Sequence, residues 1–295
     1  MTAKVINGTE MANSVRAEIA DCVAELTDRH GVTPGLAVVL AGDDPASMVY
    51  VRHKERAAIE ARMISQIVIL KAEATEADVL AEIDRLNCDS GIHGILVQLP
   101  LPSHIDARTA TEAVLPEKDV DGLHPYNKGL LLAGTPRFVP ATPAGIQYML
   151  VNSGFDPDGK HVVVCGRSDI VGKPIANLLM QRMPGANATV TVCHTRTKDL
   201  ASITRQADIL IAAIKQPRFI TADMVKDGVV VIDVGINRIP APERKRGSRL
   251  VGDVDYESVS QKAAAITPVP GGVGPMTIAM LLRNVLEAAC LTVEG

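Results

Sequence analysis

His161-Val-Val-Val-Cys165-Gly166-Arg167-Ser168-Asp169-Ile170-Val171-Gly172-Lys173-Pro174, continuing into Ile175-Ala-Asn-Leu-Leu179, is the stretch whose reading decides the fold. A short β-branched run, a turn bounded by glycines and an apolar helical pattern, in that order, make the first half of a βαβ unit. Glycine lets the backbone come close to an anion, and a helix N-terminus directly behind it offers free N–H groups and a partial positive charge. A dinucleotide pyrophosphate suits such a place. The spacing is neither G-x-G-x-x-G nor a P-loop, because five residues separate Gly166 from Gly172 and Pro174 stands where a P-loop has Ser or Thr. Taken alone, the stretch reads equally well as a tight strand-to-helix turn.

Similar units continue on both sides. Downstream, Ala188–Cys193, Ile209–Ala213 and Val229–Val234 are Val/Ile-rich runs separated by helical stretches, which predicts right-handed βαβ units on a parallel sheet. Upstream, Met11, Val15, Ile19, Cys22, Val23 and Leu26 recur at helical spacing until Gly31, and strands are expected at Gly35–Leu40, Gln66–Leu70 and Gly94–Leu99. A helix is expected from about Pro45 to Arg62, and Thr75 with Asp78 opens another by a capping box. Pro100 to Pro143 is rich in Pro and Gly, so the domain boundary falls there, with Thr142 and Pro143 as N-cap and first residue of the next helix. The expected division is 1–140 and 141–275, with a final apolar helix, Met276 to about Cys290 within 276–295, returning to the first domain.

Composition excludes several classes of function. The 295 residues include no Trp, 4 Tyr and 3 Phe and carry a net charge of −4, which disfavours nucleic-acid binding. The first sixteen residues carry Lys4, Glu10 and Arg16 without an apolar core, and no later run is expected to reach membrane-spanning length. A cytoplasmic protein is expected. The five cysteines have no C-x-x-C spacing and the seven histidines no H-x-x-x-H, so neither disulfides nor a bound metal are expected.

Two groups of residues carry chemistry. After the strand ending at Cys193 the chain reads His194-Thr195-Arg196-Thr197-Lys198, with no carboxylate before Asp199. An NAD site has an acid here for the ribose hydroxyls, whereas Arg196 with Thr195 and Arg167 suits a 2′-phosphate, so NADP is favoured. In the other half, Ser47, Tyr50 and Lys54 are spaced i, i+3, i+7 on one helix face, and Gln98 interrupts the apolar run Ile95-Leu-Val-Gln-Leu-Pro-Leu-Pro102 at the carboxyl end of a strand. Open α/β sheets bind ligands at that end.

The motifs S-x-x-Y-x-x-x-K from Ser47, N-x-D-x₅-ILVQLPLP from Asn87, PEKDVDGLHPYN from Pro116, CGRSDIVGKP from Cys165 and PGGVGPMTI from Pro270 cover nearly the whole chain in order. On them the chain resembles the bifunctional methylenetetrahydrofolate dehydrogenase/methenyltetrahydrofolate cyclohydrolases. The resemblance implies an N-terminal α/β catalytic domain and a Rossmann-like NADP-binding domain, with folate held in a cleft between domains and a homodimeric assembly. It implies Lys54 as the catalytic lysine, Gln98 as its orienting partner, Tyr50 along the folate and Asp121 on the pterin N–H groups. Ser47, Pro270, Gly271 and Gly272 border the folate by the same resemblance, and Gly166, Arg167, Ser168, Gly172, Thr195, Arg196 and Ile236 line the cofactor. Two departures stand out: Lys215 replaces the family's glycine in Ala213-Ile-Lys215-Gln-Pro217, and the loop Pro240–Arg249 is longer and more basic than expected. A cyclohydrolase with weakened dehydrogenase, another dehydrogenase of this architecture and a non-enzymatic NADP-binding regulator remain as alternatives.

Overall fold

The computed structural model describes residues 2–242 and 247–293. In chain order the elements are β1 (Lys4–Val5), α1 (Gly8–His30), β2 (Gly35–Ala41), α2 (Pro45–Glu60), β3 (Ile64–Leu70), α3 (Glu76–Cys88), β4 (Gly94–Val97), α4 (Ala107–Glu112), α5 (Pro125–Ala133) and α6 (Ala141–Asn152). There follow β5 (His161–Cys165), α7 (Gly172–Leu179), β6 (Thr189–Cys193), α8 (Leu200–Thr204), β7 (Ile209–Ala212), β8 (Val230–Asp233), β9 (Asn237–Pro240), β10 (Ser248–Val251), α9 (Tyr256–Val259), β11 (Ala265–Ile266) and α10 (Val273–Leu291).

Two compact units result, one of Met1–Ala12 with Thr142–Thr277 and one of Asn13–Ala141 with Ile278–Gly295. The division differs from the expected 1–140 at the N-terminus. β1 pairs in parallel with β11, so the first residues join the six-stranded unit. No periodicity in two-residue strands announces that pairing.

In the three-stranded unit the order is β3-β2-β4, all parallel. β2 and β4 are buried at every position, as their continuous apolar runs require, while β3 at the edge is exposed at Ile64 and Ile69 and half-buried elsewhere. Val79, Ile83 and Leu86 of α3 pack on Ala37, Val39, Ile95 and Val97. The expected capping box forms, with Thr75 and Asp78 each accepting the other's backbone N–H.

α10 has the length and composition of a membrane span, which amends the expectation that no run approaches that length. Its apolar residues are used in packing: Leu281, Leu282 and Val285 are buried, and Asn284 donates to the carbonyls of Val120 at 2.8 Å and Val139 at 2.9 Å.

The six-stranded unit has the order β1-β11-β8-β7-β5-β6, parallel throughout. The chain leaves β5 for β6 on one side and returns to β7 on the other, so strand order reverses beside β5. α6 begins at Ala141, one residue before the expected cap. Thr142 thus lies in its first turn, with its hydroxyl 3.0 Å from that of Thr277. Cys165 and Cys193 are register partners, both buried as free thiols, and burial pushes the Cys165 thiol up to about 12. Residues 243–246, the centre of the basic loop, lie outside the described residues.

Candidate functional site

α2 owes its start to Asp44, whose carboxylate accepts the Ser47 N–H at 2.8 Å, and to Pro45 at the first helical position. The Ser47 hydroxyl donates to the same carboxylate at 2.7 Å, so this expected substrate ligand also serves the helix cap. One turn on, Val51 is fully buried, and Lys54 on the same face reaches the end of β4. There its Nζ donates to Gln98 Oε1 at 2.9 Å, and Gln98 Nε2 donates to the Leu99 carbonyl at 2.7 Å. That second bond fixes which way the amide faces. Tyr50 lies on the exposed side of this face.

Dehydration holds the Lys54 ammonium below its ordinary range, against the opposing charge of Asp121. The Asp121 carboxyl is raised by burial against the charge of Lys54. No described residue donates a hydrogen bond to that carboxyl, so both of its oxygens are free to accept one from a ligand.

Asp119, two residues earlier and missed by sequence reasoning, holds this turn in place. Its carboxylate accepts the N–H groups of Leu123 at 3.0 Å and His124 at 2.8 Å and the Asn127 amide at 2.8 Å. Burial lifts it to about 6 in spite of those three donors, and Asp121 adds to the rise. Gly122 follows at φ 66°, where an added Cβ would meet the Pro140 ring at 3.0 Å. The only signal of the arrangement in the sequence is the D-x-D-G spacing, which does not say which aspartate builds the turn and which is presented by it.

In the six-stranded unit the expected cofactor residues lie along the carboxyl edge of the sheet. Gly166 follows β5 at φ 128°, and its N–H donates to the Cys193 carbonyl at 2.9 Å. A Cβ at Gly172 would run into the Gly166 carbonyl, so both glycines are sterically required. The Ser168 hydroxyl accepts the N–H groups of Val171 and Gly172, each at 3.3 Å, bracing the turn. Arg167, Thr195 and Arg196 are exposed. Thr195 and Arg196 follow β6, and Ile236, also exposed, follows β8.

Lys215 follows β7 at φ 62°, a left-handed conformation that favours glycine. Its turn is held from below by Asp253, whose carboxylate accepts the N–H groups of Ile214, Lys215 and Gln216 and the Asn237 amide. Asp233 in turn accepts the N–H groups of Gly235, Asp253 and Val254, and burial lifts it to about 7. Neither role is legible in the sequence. Gly271, at φ 105°, accepts the Thr9 N–H through its carbonyl at 3.0 Å, while Pro270 lines a cavity of about 800 Å³ with Asp233 and Arg218.

Residues 6–121 match the catalytic domain of tetrahydrofolate dehydrogenase/cyclohydrolase, and residues 140–293 match its NAD(P)-binding domain. The bifunctional protein FolD of Moorella thermoacetica is 55% identical over 289 residues, covering 98% of this chain and 99% of that one. That of Parvibaculum lavamentivorans is 54% identical over 291 residues, covering 98% and 96%. Among solved structures, the Campylobacter jejuni FolD methylenetetrahydrofolate dehydrogenase/cyclohydrolase is 44% identical with a TM-score of 0.92, covering 98% of this chain and 99% of that one. The Trypanosoma brucei enzyme, complexed with NADP cofactor and an inhibitor, is 41% identical with a TM-score of 0.95 and full coverage of both chains. Matched in both halves and over nearly its whole length, the chain belongs to the tetrahydrofolate dehydrogenase/cyclohydrolase family.

Proposed function

We propose that the chain oxidises 5,10-methylenetetrahydrofolate to 5,10-methenyltetrahydrofolate with NADP⁺ and hydrolyses the product to 10-formyltetrahydrofolate. The observation that carries the reading is the pairing of Lys54 with Gln98, beside an Asp121 carboxyl that no described residue uses. Asp121 accepts pterin N–H groups and orients the ring, with Tyr50 and Ser47 as further folate contacts. Dehydration shifts Lys54 toward its neutral form, and the bond to Gln98 leaves the nitrogen lone pair of the neutral amine free. In the hydrolysis a water oxygen bonds to the methenyl carbon while one of its protons passes to Lys54 Nζ; the resulting hydroxyl then loses its proton as its oxygen forms the formyl C=O, the C–N5 bond breaks and N5 takes up a proton. Lys54 thus takes a proton while its neighbour Asp121 holds the ring.

The residues present fit a dinucleotide. Gly166 and Gly172 leave a cradle that a Cβ would fill, with Arg167, Ser168, Thr195, Arg196 and Ile236 along the same sheet edge. Bound there, NADP⁺ supplies the hydride acceptor for the oxidation. Arg196 and Arg167 favour the 2′-phosphate, since no carboxylate stands before Asp199.

The same reading includes a cytoplasmic homodimer that binds neither nucleic acid nor membrane. Free cysteines favour a reducing compartment, and the β3 edge, with Ile64 and Ile69 49% and 50% exposed, favours pairing with a second copy. The test of function is to incubate the protein with methylenetetrahydrofolate and NADP⁺ or NAD⁺ while recording reduced nicotinamide and methenyl absorbance together. The expected result is reduction of NADP⁺ with hydrolysis of the methenyl product. Hydrolysis of supplied methenyl substrate without any reduction would leave a cyclohydrolase alone.

A further inference from the structure

A cavity of about 650 Å³ opens in the three-stranded unit at the end of the sheet opposite Gln98. Thr33, Ile64 and His93, from the segments that enter β2, β3 and β4, line it together with Leu291 of α10. β4 runs between His93 and Gln98, and five steps of extended chain separate these residues by about 16 Å. The cavity shares no residue with the Lys54 group.

His93 is only 7% exposed, and its Nδ1 accepts the Gly35 N–H at 3.1 Å. An imidazole that accepts at Nδ1 carries its proton on Nε2. Burial first, and then the charge of Lys118, hold this ring below its usual range against the opposing charge of Asp89, so it stands neutral near pH 7. No described residue accepts the Nε2–H. The Nε2 atom is accessible, and its N–H is free to meet a ligand in the cavity.

Two cations line the same space. Arg137 is half-buried, and its guanidinium makes no hydrogen bond or ion pair with any described residue. Lys118 donates to the carbonyls of Leu86 at 3.1 Å and Asp89 at 2.7 Å, which leaves its third N–H available. Glu117 is the one carboxylate among the described lining residues, and it is exposed. Donors and positive charge therefore outweigh acceptors.

We propose that this cavity binds a small oxyanion, a carboxylate or phosphate group, held by His93 Nε2–H, Arg137 and Lys118. A guanidinium fork matches two oxygens of either group, and the neutral imidazole adds a directed donor without another charge to desolvate.

The experiment uses the full chain with ¹⁵N-labelled histidine, saturated with NADP⁺ so that phosphate does not enter the 166–172 turn. Inorganic phosphate is titrated in one arm and succinate in another, each against sodium chloride of equal ionic strength. The expected result is a saturable shift of one histidine Nε2 resonance, absent from His93→Gln, with affinity at least about tenfold weaker in Arg137→Gln. A response to phosphate alone assigns the site to phosphate-bearing ligands, and a response to succinate assigns it to carboxylates. No saturable shift in either arm, or one undiminished in Arg137→Gln, overturns the proposal. Should His93→Gln not fold, the Arg137→Gln comparison decides by itself, since it follows the same resonance in a protein altered only at a half-buried residue.

Discussion

Lys54 and Arg196 are the two cations to which the proposed function gives ligand roles, and the fold treats them oppositely. Lys54 is drawn under the surface, hydrogen-bonded to Gln98 and shifted toward its neutral form. Arg196 stays in solvent on a loop, and the fixed part of its site is backbone: Gly166 and Gly172, with Ser168 bracing the turn between them. The first site invests in protonation state, because its chemistry moves a proton. The second invests in shape, because its task is to hold a charged molecule whose chemistry is its own. A substitution in the first should therefore stop turnover, whereas one in the second should shift preference or affinity.

The sharpest break in that comparison is Lys54→Met. The thioether fills the space without holding a proton, so hydrolysis of methenyltetrahydrofolate should fall by about 10²–10⁴-fold while NADP⁺ binding is unchanged. Near-normal hydrolysis in a folded variant would remove Lys54 from the mechanism. Asp121→Asn should follow. Its amide NH₂ would face a donor on the pterin, costing roughly 2–4 kcal/mol of folate affinity, and both activities should fall together. Titration with a folate analogue measures this, and an affinity within about threefold of the parent, taking 1.4 kcal/mol as tenfold, would return Asp121 to the role of a turn residue.

Asp119→Asn asks how far the turn supports the site. The folded carboxyl sits at about 6 against an ordinary 3.8. A raised acid stabilises the fold most below its ordinary value and loses that contribution as pH rises through about 6. Between pH 4 and 7.5 the loss from this group should be about 2.4 kcal/mol. The asparagine variant cannot ionise, so its stability curve should lack that component when both proteins are denatured with urea across the range. Parallel pH curves for the two would show that Asp119 is not the group titrating.

Lys54 and Gln98 were readable because each breaks a pattern, a cation on a helix face and an amide ending an apolar strand, whereas Asp121 came only with the family resemblance carried by the PEKDVDGLHPYN motif. Asp119, Asp233 and Asp253 were not, because their work is to accept main-chain N–H groups. An aspartate four residues from its partner looks like any turn residue, and one thirty-eight residues away from the 214–216 turn leaves no local trace. The pairing of β1 with β11 was hidden for the same reason, since two residues carry no period.

Smaller effects are expected on the dinucleotide side. In Arg196→Glu the carboxylate repels a 2′-phosphate but accepts ribose hydroxyls, so the NADP⁺ to NAD⁺ ratio of kcat/KM should drop by about tenfold or more. An unchanged ratio would mean that Arg196 points elsewhere.

The smallest change tests whether Lys215 belongs to shape or to charge. At φ 62° its Cβ sits in the left-handed region, at a cost of about 1–2 kcal/mol, while Asp253 holds its N–H at 2.9 Å. Lys215→Gly removes that strain, and because glycine also makes the unfolded chain more flexible the net gain should be no more than about 1 kcal/mol. Lys215→Ala keeps the Cβ and its strain but loses the ammonium, so it should show no such gain. Thermal melting of the two variants separates backbone from side chain. NADP⁺ titration then completes the argument. If the side chain crowds the cofactor, both variants should bind more tightly than the parent, as the comparison of the two sites predicts for a region built on shape. Weaker binding in both would make Lys215 a phosphate ligand, and its strained backbone would then be the cost of presenting a charge.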